Sequence, residues 1–237
     1  MNIRCNFVIV LSLLLLSLMP TDLMAQQTKE ADITFNIVVF ENFETLDVFG
    51  PVEVFGKIPG ATIRYYSSAG GLVSNTDNIA IDTTPLTQWK NTKRDVLFIP
   101  GGLGTRGMVH DAEFVKTLAG LAGQSEYILS VCTGSALLAK AGVLDGKNAT
   151  SNKMAFDWVI NNSRAVNWKY QARWVVDGNI FTSSGISAGT DMAFAFVRQV
   201  YGNELADDIK NIVEYTPVES SDTDPFAVNA ALKEQYK

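Results

Sequence analysis

Cys132 stands in the run Ser130-Val131-Cys132-Thr133-Gly134, between an apolar stretch and residues rich in Ala and Leu. Where a strand turns straight into a helix the backbone doubles back on itself. A side chain at that elbow needs small residues two positions away on either side, and Ser130 and Gly134 meet that need. The elbow would also set the thiol at the positive end of a helix, which favours a thiolate. That is a nucleophile's position. A buried cysteine packed as a small hydrophobe is the competing reading. A second stretch, Pro100-Gly101-Gly102-Leu103-Gly104, follows another apolar run. Glycines there let the N–H groups of Gly101 and Gly102 turn towards a developing oxyanion, although a plain tight loop has the same composition. The third is Asp47, in Glu44-Thr45-Leu46-Asp47. A carboxyl among apolar neighbours can hydrogen-bond a thiol or carry a proton. A helix-end carboxylate that only complements the dipole is the simpler account, and Glu41, Glu44 and Glu53 compete with it. His110, the single imidazole, lies beside Asp111 in a surface-type loop and reads as structural or solvated, not as half of a Cys–His dyad. One histidine and two cysteines far apart in sequence supply no metal-ligand spacing, so no metal is expected.

The elements that must position these residues follow from apolar periodicity. Strands are expected at 33–40, 61–68, weakly within 75–82, at 95–100 and at 127–131. A hairpin is expected around Asp177-Gly178, with arms 172–176 and 179–182. Helices are expected at 46–55, with Gly50-Pro51 near the start, and at 111–122, capped by Asp111. Further helices are expected from Cys132 to a stop at Gly142, at 153–160, at 192–201, and at 203–213 after Gly202. Alternating strands and helices give a mostly parallel sheet with helices on both faces: a single-domain, flavodoxin-like α/β sandwich with a nucleophile elbow. The domain is expected over 26–213. Residues 214–237, polar and proline-containing, are expected as a tail or an edge wrap.

Residues 1–25 read as a secretory signal peptide. Arg4 precedes the apolar run from Phe7 to Met19, Pro20 breaks it, and Ala25 is a small residue before Gln26. The competing reading is an uncleaved membrane anchor, but the run is too short to span a bilayer comfortably, which takes about 20 apolar residues. Cleavage would remove Cys5, leave Cys132 as the lone thiol and send the domain to a secreted or periplasmic location, with no membrane contact afterwards. The net charge of −6 argues against nucleic acid or an anionic membrane as partner.

Four segments in order carry a resemblance: TLDVFGPVEVF, DVLFIPGGLGTRG, ILSVCTGSALLAKAGVLDGKNAT and RWVVDGNIFTSSGISAGTDMAFAFV, with Asp224-Pro225-Phe226 near the end. Together they resemble the ThiJ/PfpI (parkinsonism-associated DJ-type) superfamily, within the class I glutamine amidotransferase-like fold. The branch most similar holds isonitrile hydratases and the amidase-like domains of AraC-type regulators. The resemblance implies Cys132 as nucleophile, Asp47 as its acid/base partner and an oxyanion site at the N–H groups of Gly102 and Thr133. It also implies a pocket closed by 183–188, with Gly185, Ile186 and Ser187. It implies a cofactor-free hydratase or hydrolase of small electrophiles, and a homodimer. The alternatives are a glyoxalase- or deglycase-like enzyme and a cysteine redox sensor. Thr133 stands where protease-like branches have His, which argues against peptidase activity. Lys153 departs from relatives and is expected to change pocket charge. No DNA-binding domain is expected after the α/β domain.

Overall fold

The structure, a computed structural model, describes residues 33–235. The expected leader at 1–25 lies outside the described residues. Ten strands are described: β1 (Thr34–Val38), β2 (Thr62–Ser67), β3 (Gly71–Ser74), β4 (Ala80–Pro85), β5 (Asp95–Ile99), β6 (Tyr127–Val131), β7 (Asn148–Ala149), β8 (Asn167–Trp168), β9 (Trp174–Asp177) and β10 (Ile180–Ser183). The helices are α1 (Thr45–Phe55), α2 (Thr105–Met108), α3 (Ala112–Ala122), α4 (Gly134–Lys140), α5 (Phe156–Ile160), α6 (Ala188–Tyr201), α7 (Asn203–Ile212) and α8 (Ala230–Gln235).

Eight strands form one sheet in the order β3-β4-β2-β1-β5-β6-β10-β9. β4, β2, β1, β5, β6 and β10 run parallel, and only the outer strands β3 and β9 are antiparallel to their neighbours. β1, β5 and β6 are buried along nearly their whole length, because helices cover both faces and leave no side for polar residues. On one face Phe35 of β1 stacks on Phe55 of α1 at 4.1 Å between ring centroids, and Phe196 of α6 meets both edge-on. Each such fully buried ring contributes about 1.5–3 kcal/mol. The other face carries α3 and α4, with Phe114, Leu118, Leu137 and Leu138 in the core. The expected α/β sandwich with a mostly parallel sheet is the observed fold.

Several boundaries differ. α1 begins at Thr45, so Gly50 and Pro51 lie in its middle instead of near its start. Pro51 is buried there against α6, where it faces Gly189. The glycine pair 70–71 opens a fully formed strand, β3, which pairs with β4. The hairpin turn is shifted by one residue: Asp177 pairs with Ile180, so Gly178 and Asn179 form the loop. α5 starts at Phe156, not at Lys153. The tail is no loose appendage, since Asp224, Ala227 and Leu232 are buried.

Candidate active site

Parallel neighbours end at the same edge of a sheet, so the segments after β1, β5, β6 and β10 converge there. The first two are zipped together: Glu44 N–H donates to the Gly101 carbonyl at 2.9 Å, and Phe43 bridges Gly102. Gly102 adopts φ +123°, and a Cβ there would run into the backbone of Asn42, Phe43 and Glu44. Only glycine fits. This closure carries α1 over the loop after β5, and Asp47, in the first turn of α1, points inward instead of to solvent. It is fully buried, and its Oδ2 accepts the Gly101 N–H at 2.9 Å. Its other oxygen, Oδ1, has no conventional hydrogen-bond partner, and the carboxyl lies within the influence of the Glu44 charge and the Cys132 thiol.

Cys132 occupies the turn between β6 and α4 at φ +57°, a left-handed conformation that a residue with a Cβ enters only when its surroundings impose it. Its own N–H bonds the Ser183 carbonyl at 3.1 Å. Its carbonyl accepts hydroxyl hydrogen bonds from Ser151 at 2.8 Å and Ser135 at 3.1 Å. The residue is 6% exposed. Gly185 closes the far side: a Cβ on it would stand 2.8 Å from the sulfur and 2.5 Å from Asn152 Nδ2. Ile186 and Ser187 follow it into a cavity of about 530 Å³, also lined by Glu44, Leu46 and Met154.

The polar groups around the sulfur are largely committed to one another. Gly101 N–H is taken by Asp47, and Gly102 N–H by Thr133 Oγ1 at 3.1 Å. The Thr105 hydroxyl stands 3.1 Å from Thr133 Oγ1 and 2.7 Å from the Gly102 carbonyl. The backbone donor directed at the sulfur is Thr133 N–H, and the Thr133 hydroxyl supports it. Gly101 therefore serves Asp47 in this arrangement, and Gly102 would have to release Thr133 before binding an oxyanion.

Burial pushes the Asp47 carboxyl well above the ordinary carboxylate range; the Gly101 N–H opposes that shift and the charge of Glu44 adds to it. Burial likewise pushes the Cys132 thiol well up, and Asp47 reinforces this against the pull of Thr133. The low-pKa thiol expected from the helix start is thus not found, because desolvation by burial outweighs what the helix start offers. Of the competing carboxylates, Glu41 bonds Ser74 N–H and Glu53 pairs with Lys57 on the surface. Glu44 alone stays close, at the cavity. His110 is exposed, at the end of the turn after α2. Lys153 adjoins the cavity, but its ammonium is buried against Ala172 O (2.6 Å), Thr150 Oγ1 (2.9 Å) and Asp224 (3.9 Å), so it does not present free charge to a ligand. Thr105, Ser151 and Asn152 are site residues that sequence reasoning missed; a lone hydroxyl or amide in a loop carries no pattern. Among the described residues no three His, Cys, Asp or Glu side chains converge as a metal site.

Residues 34–199 match the sequence profile of the DJ-1/PfpI family. The chain belongs to the DJ-1/PfpI family. Within it, an isonitrile hydratase from Pseudomonas putida is 31% identical over 202 residues, covering 83% of this chain and 86% of that protein. A ThiJ/PfpI family protein of known structure from Pseudomonas syringae superposes with a TM-score of 0.72 at 29% identity, covering 92% of this chain and 90% of that one. An AraC family transcriptional regulator from Pseudomonas putida superposes with a TM-score of 0.68 at 18% identity, over 76% of this chain and 99% of that one, a likeness of fold alone. The DJ-1/PfpI match ends at residue 199, so α7 and the tail lie beyond it.

Proposed function

We propose that this protein is a cofactor-free cysteine enzyme that adds water to small carbon electrophiles, in the manner of an isonitrile hydratase. The observation that carries the proposal is the pairing of a strained, buried Cys132 with a buried Asp47 whose carboxyl resists ionisation. Such a pair is reluctant to ionise and keeps a proton between the thiol and the carboxyl. The terminal carbon of an isonitrile can accept both a nucleophile and a proton. The Cys132 sulfur bonds that carbon, the thiol proton passes to Asp47, and Asp47 passes a proton on to the carbon. The product is a thioimidate, with Thr133 N–H steadying charge on the sulfur. Water then adds to the same carbon, the C–S bond breaks with return of a proton to sulfur, and an N-substituted formamide leaves. Splitting one addition into two steps is the gain of covalent catalysis.

A redox sensor fits less well, since sensors need an exposed thiol of low pKa, and Cys132 is neither. The domain is further proposed to act after export, without peptidase activity, as a homodimer. The test is incubation of residues 26–237 with an alkyl isonitrile. Formamide is expected from the wild type and none from Cys132→Ala; equal rates for the two proteins would overturn the proposal.

A further inference from the structure

The cavity that Gly185 lines, with the Cys132 sulfur packed against that glycine, has one wall that the proposed reaction does not use, and it comes from the C-terminal tail. Phe226 lines the cavity together with Leu46, Met154 and Ile186. All four are exposed, Phe226 by 63%, so this is apolar surface left open beside the nucleophile and not core. Scattered exposed hydrophobics need no explanation, whereas four around one cavity make a grouped apolar surface of the kind that marks ligand-binding grooves. The charged groups at the mouth are Glu44 and Asp77, while the nearby ammonium of Lys153 is used up in burial.

The tail is held in place at buried points. Asp224 N–H donates to the Gln171 carbonyl at 2.7 Å, and Arg173 N–H donates to Ser221 O at 2.7 Å. The Asp224 side chain, fully buried, lies between Lys153 Nζ at 3.9 Å and Arg173 at 3.7 Å. Its Oδ1 also accepts the Phe226 N–H at 3.0 Å, which fixes the backbone of the ring-bearing residue itself. Lys153 lies between Asn152 and Met154 of the cavity wall. One buried cation therefore ties the tail to the loop facing the sulfur.

We propose that the C-terminal tail is part of the substrate site: Phe226, set by Asp224, walls a subsite for an apolar substituent on the electrophile whose reacting carbon meets Cys132. This rests on Cys132 as the nucleophile and gives that reading its substrate class. The substrates are neutral electrophiles with a hydrocarbon or aromatic arm; carboxylate- or phosphate-bearing ones are repelled by Glu44 and Asp77.

Alkylation of Cys132 reads the subsite without any turnover. Rate constants for iodoacetamide and for N-benzyl-iodoacetamide are measured on the folded protein, each relative to glutathione. The wild type is expected to prefer the benzyl reagent about tenfold. Phe226→Ala, an exposed position that leaves folding intact, removes that preference, and Phe226→Leu keeps most of it. Asp224→Asn, which keeps the acceptor for Phe226 N–H, retains more of it than Asp224→Ala. The proposal is overturned if the wild type has no preference or if Phe226→Ala keeps it. It is also overturned if the preference is lost only together with a change of oligomeric state in sedimentation, which would assign Phe226 to a subunit contact. A wild type that shows the preference but hydrates no isonitrile would defeat the proposed reaction and leave the subsite standing. Turnover with a preference unaffected by Phe226→Ala would do the reverse.

Discussion

In the Cys132–Asp47 pair burial works against charge on both partners; the charge of Asp47 makes the thiol harder to ionise still, whereas a hydrogen bond from the thiol eases ionisation of Asp47. Removing the carboxylate therefore has opposite effects on reactivity and on catalysis. Asp47→Asn keeps an acceptor for Gly101 N–H but cannot pass a proton. Alkylation of Cys132 by iodoacetamide at pH 8–9 should be faster than in the wild type, because a cause of the raised thiol pKa is gone. Isonitrile turnover should fall by roughly 100-fold or more, the scale of a general acid/base. Parallel loss of both would make Asp47 a packing residue. The same variant carries a stability prediction. A carboxyl whose folded pKa is raised stabilises the fold fully below its unfolded value, near 4, and loses that contribution as pH rises through the folded value. Asp47→Asn should then melt higher than the wild type at pH 8, and the gap should close towards pH 4. A thermal-melt series at those pH values decides it. The thiol was legible at its elbow, whereas Asp47 read from its neighbours alone as a helix-end carboxylate and was paired with the thiol only by the family resemblance. Their protonation was not legible, because desolvation depends on what the rest of the chain places over them.

At the scale of elements, convergence of loops at one sheet edge does what no single motif can. The loop after β10 approaches the sulfur so closely that Gly185 has no room for a side chain. Gly185→Ala should cost about 1–3 kcal/mol as an overpacking change and displace Asn152 or the sulfur. Its denaturant midpoint should drop and its Cys132 alkylation rate should change; a wild-type rate would mean the loop yields freely. The tail clamp has its own magnitude. Asp224→Ala leaves the buried Lys153 without a carboxylate, while Arg173 keeps Asp191 at 2.6 Å, so the loss should fall below the roughly 3–5 kcal/mol of a fully broken buried pair. Chemical denaturation measures it directly. The buried strands β1, β5 and β6 were readable from their β-branched and aromatic runs, and Asp111 caps α3 as its position predicts, accepting from Glu113 and Phe114 N–H groups. The start of α1 was not readable, since proline normally marks a first turn and here lies in mid-helix, buried against α6. The start of α5 was hidden for a similar reason. Lys153 is drawn away from the helix by Ala172 and Asp224, contacts 19 and 71 residues distant in sequence. The tail's role was invisible because the partners of Asp224 are not local to it.

For the whole molecule, the fold and the proposed destination make opposite demands on one thiol. Loss of the leader would leave Cys132 as the sole cysteine in an oxidising compartment, where a reactive thiol is captured as a mixed disulfide. The structure meets that hazard by the same means that shape the site. Cys132 is almost fully buried, and burial together with Asp47 holds its thiol well above the ordinary value, so little thiolate exists to attack a disulfide. The rate of thiol–disulfide exchange follows the thiolate fraction and access, and both are low here. The protein lacking residues 1–25, kept at pH 7.5 with excess glutathione disulfide, should stay reduced far longer than the same chain unfolded in urea, as intact-mass measurements would record. Asp47→Asn should shorten that lifetime by relieving one cause of the raised pKa, without opening the fold. If folded wild type and urea-unfolded chain were captured at equal rates, the thiol would be unprotected. If wild type and Asp47→Asn were captured equally slowly, burial alone would account for the protection and the carboxylate would have no part in it.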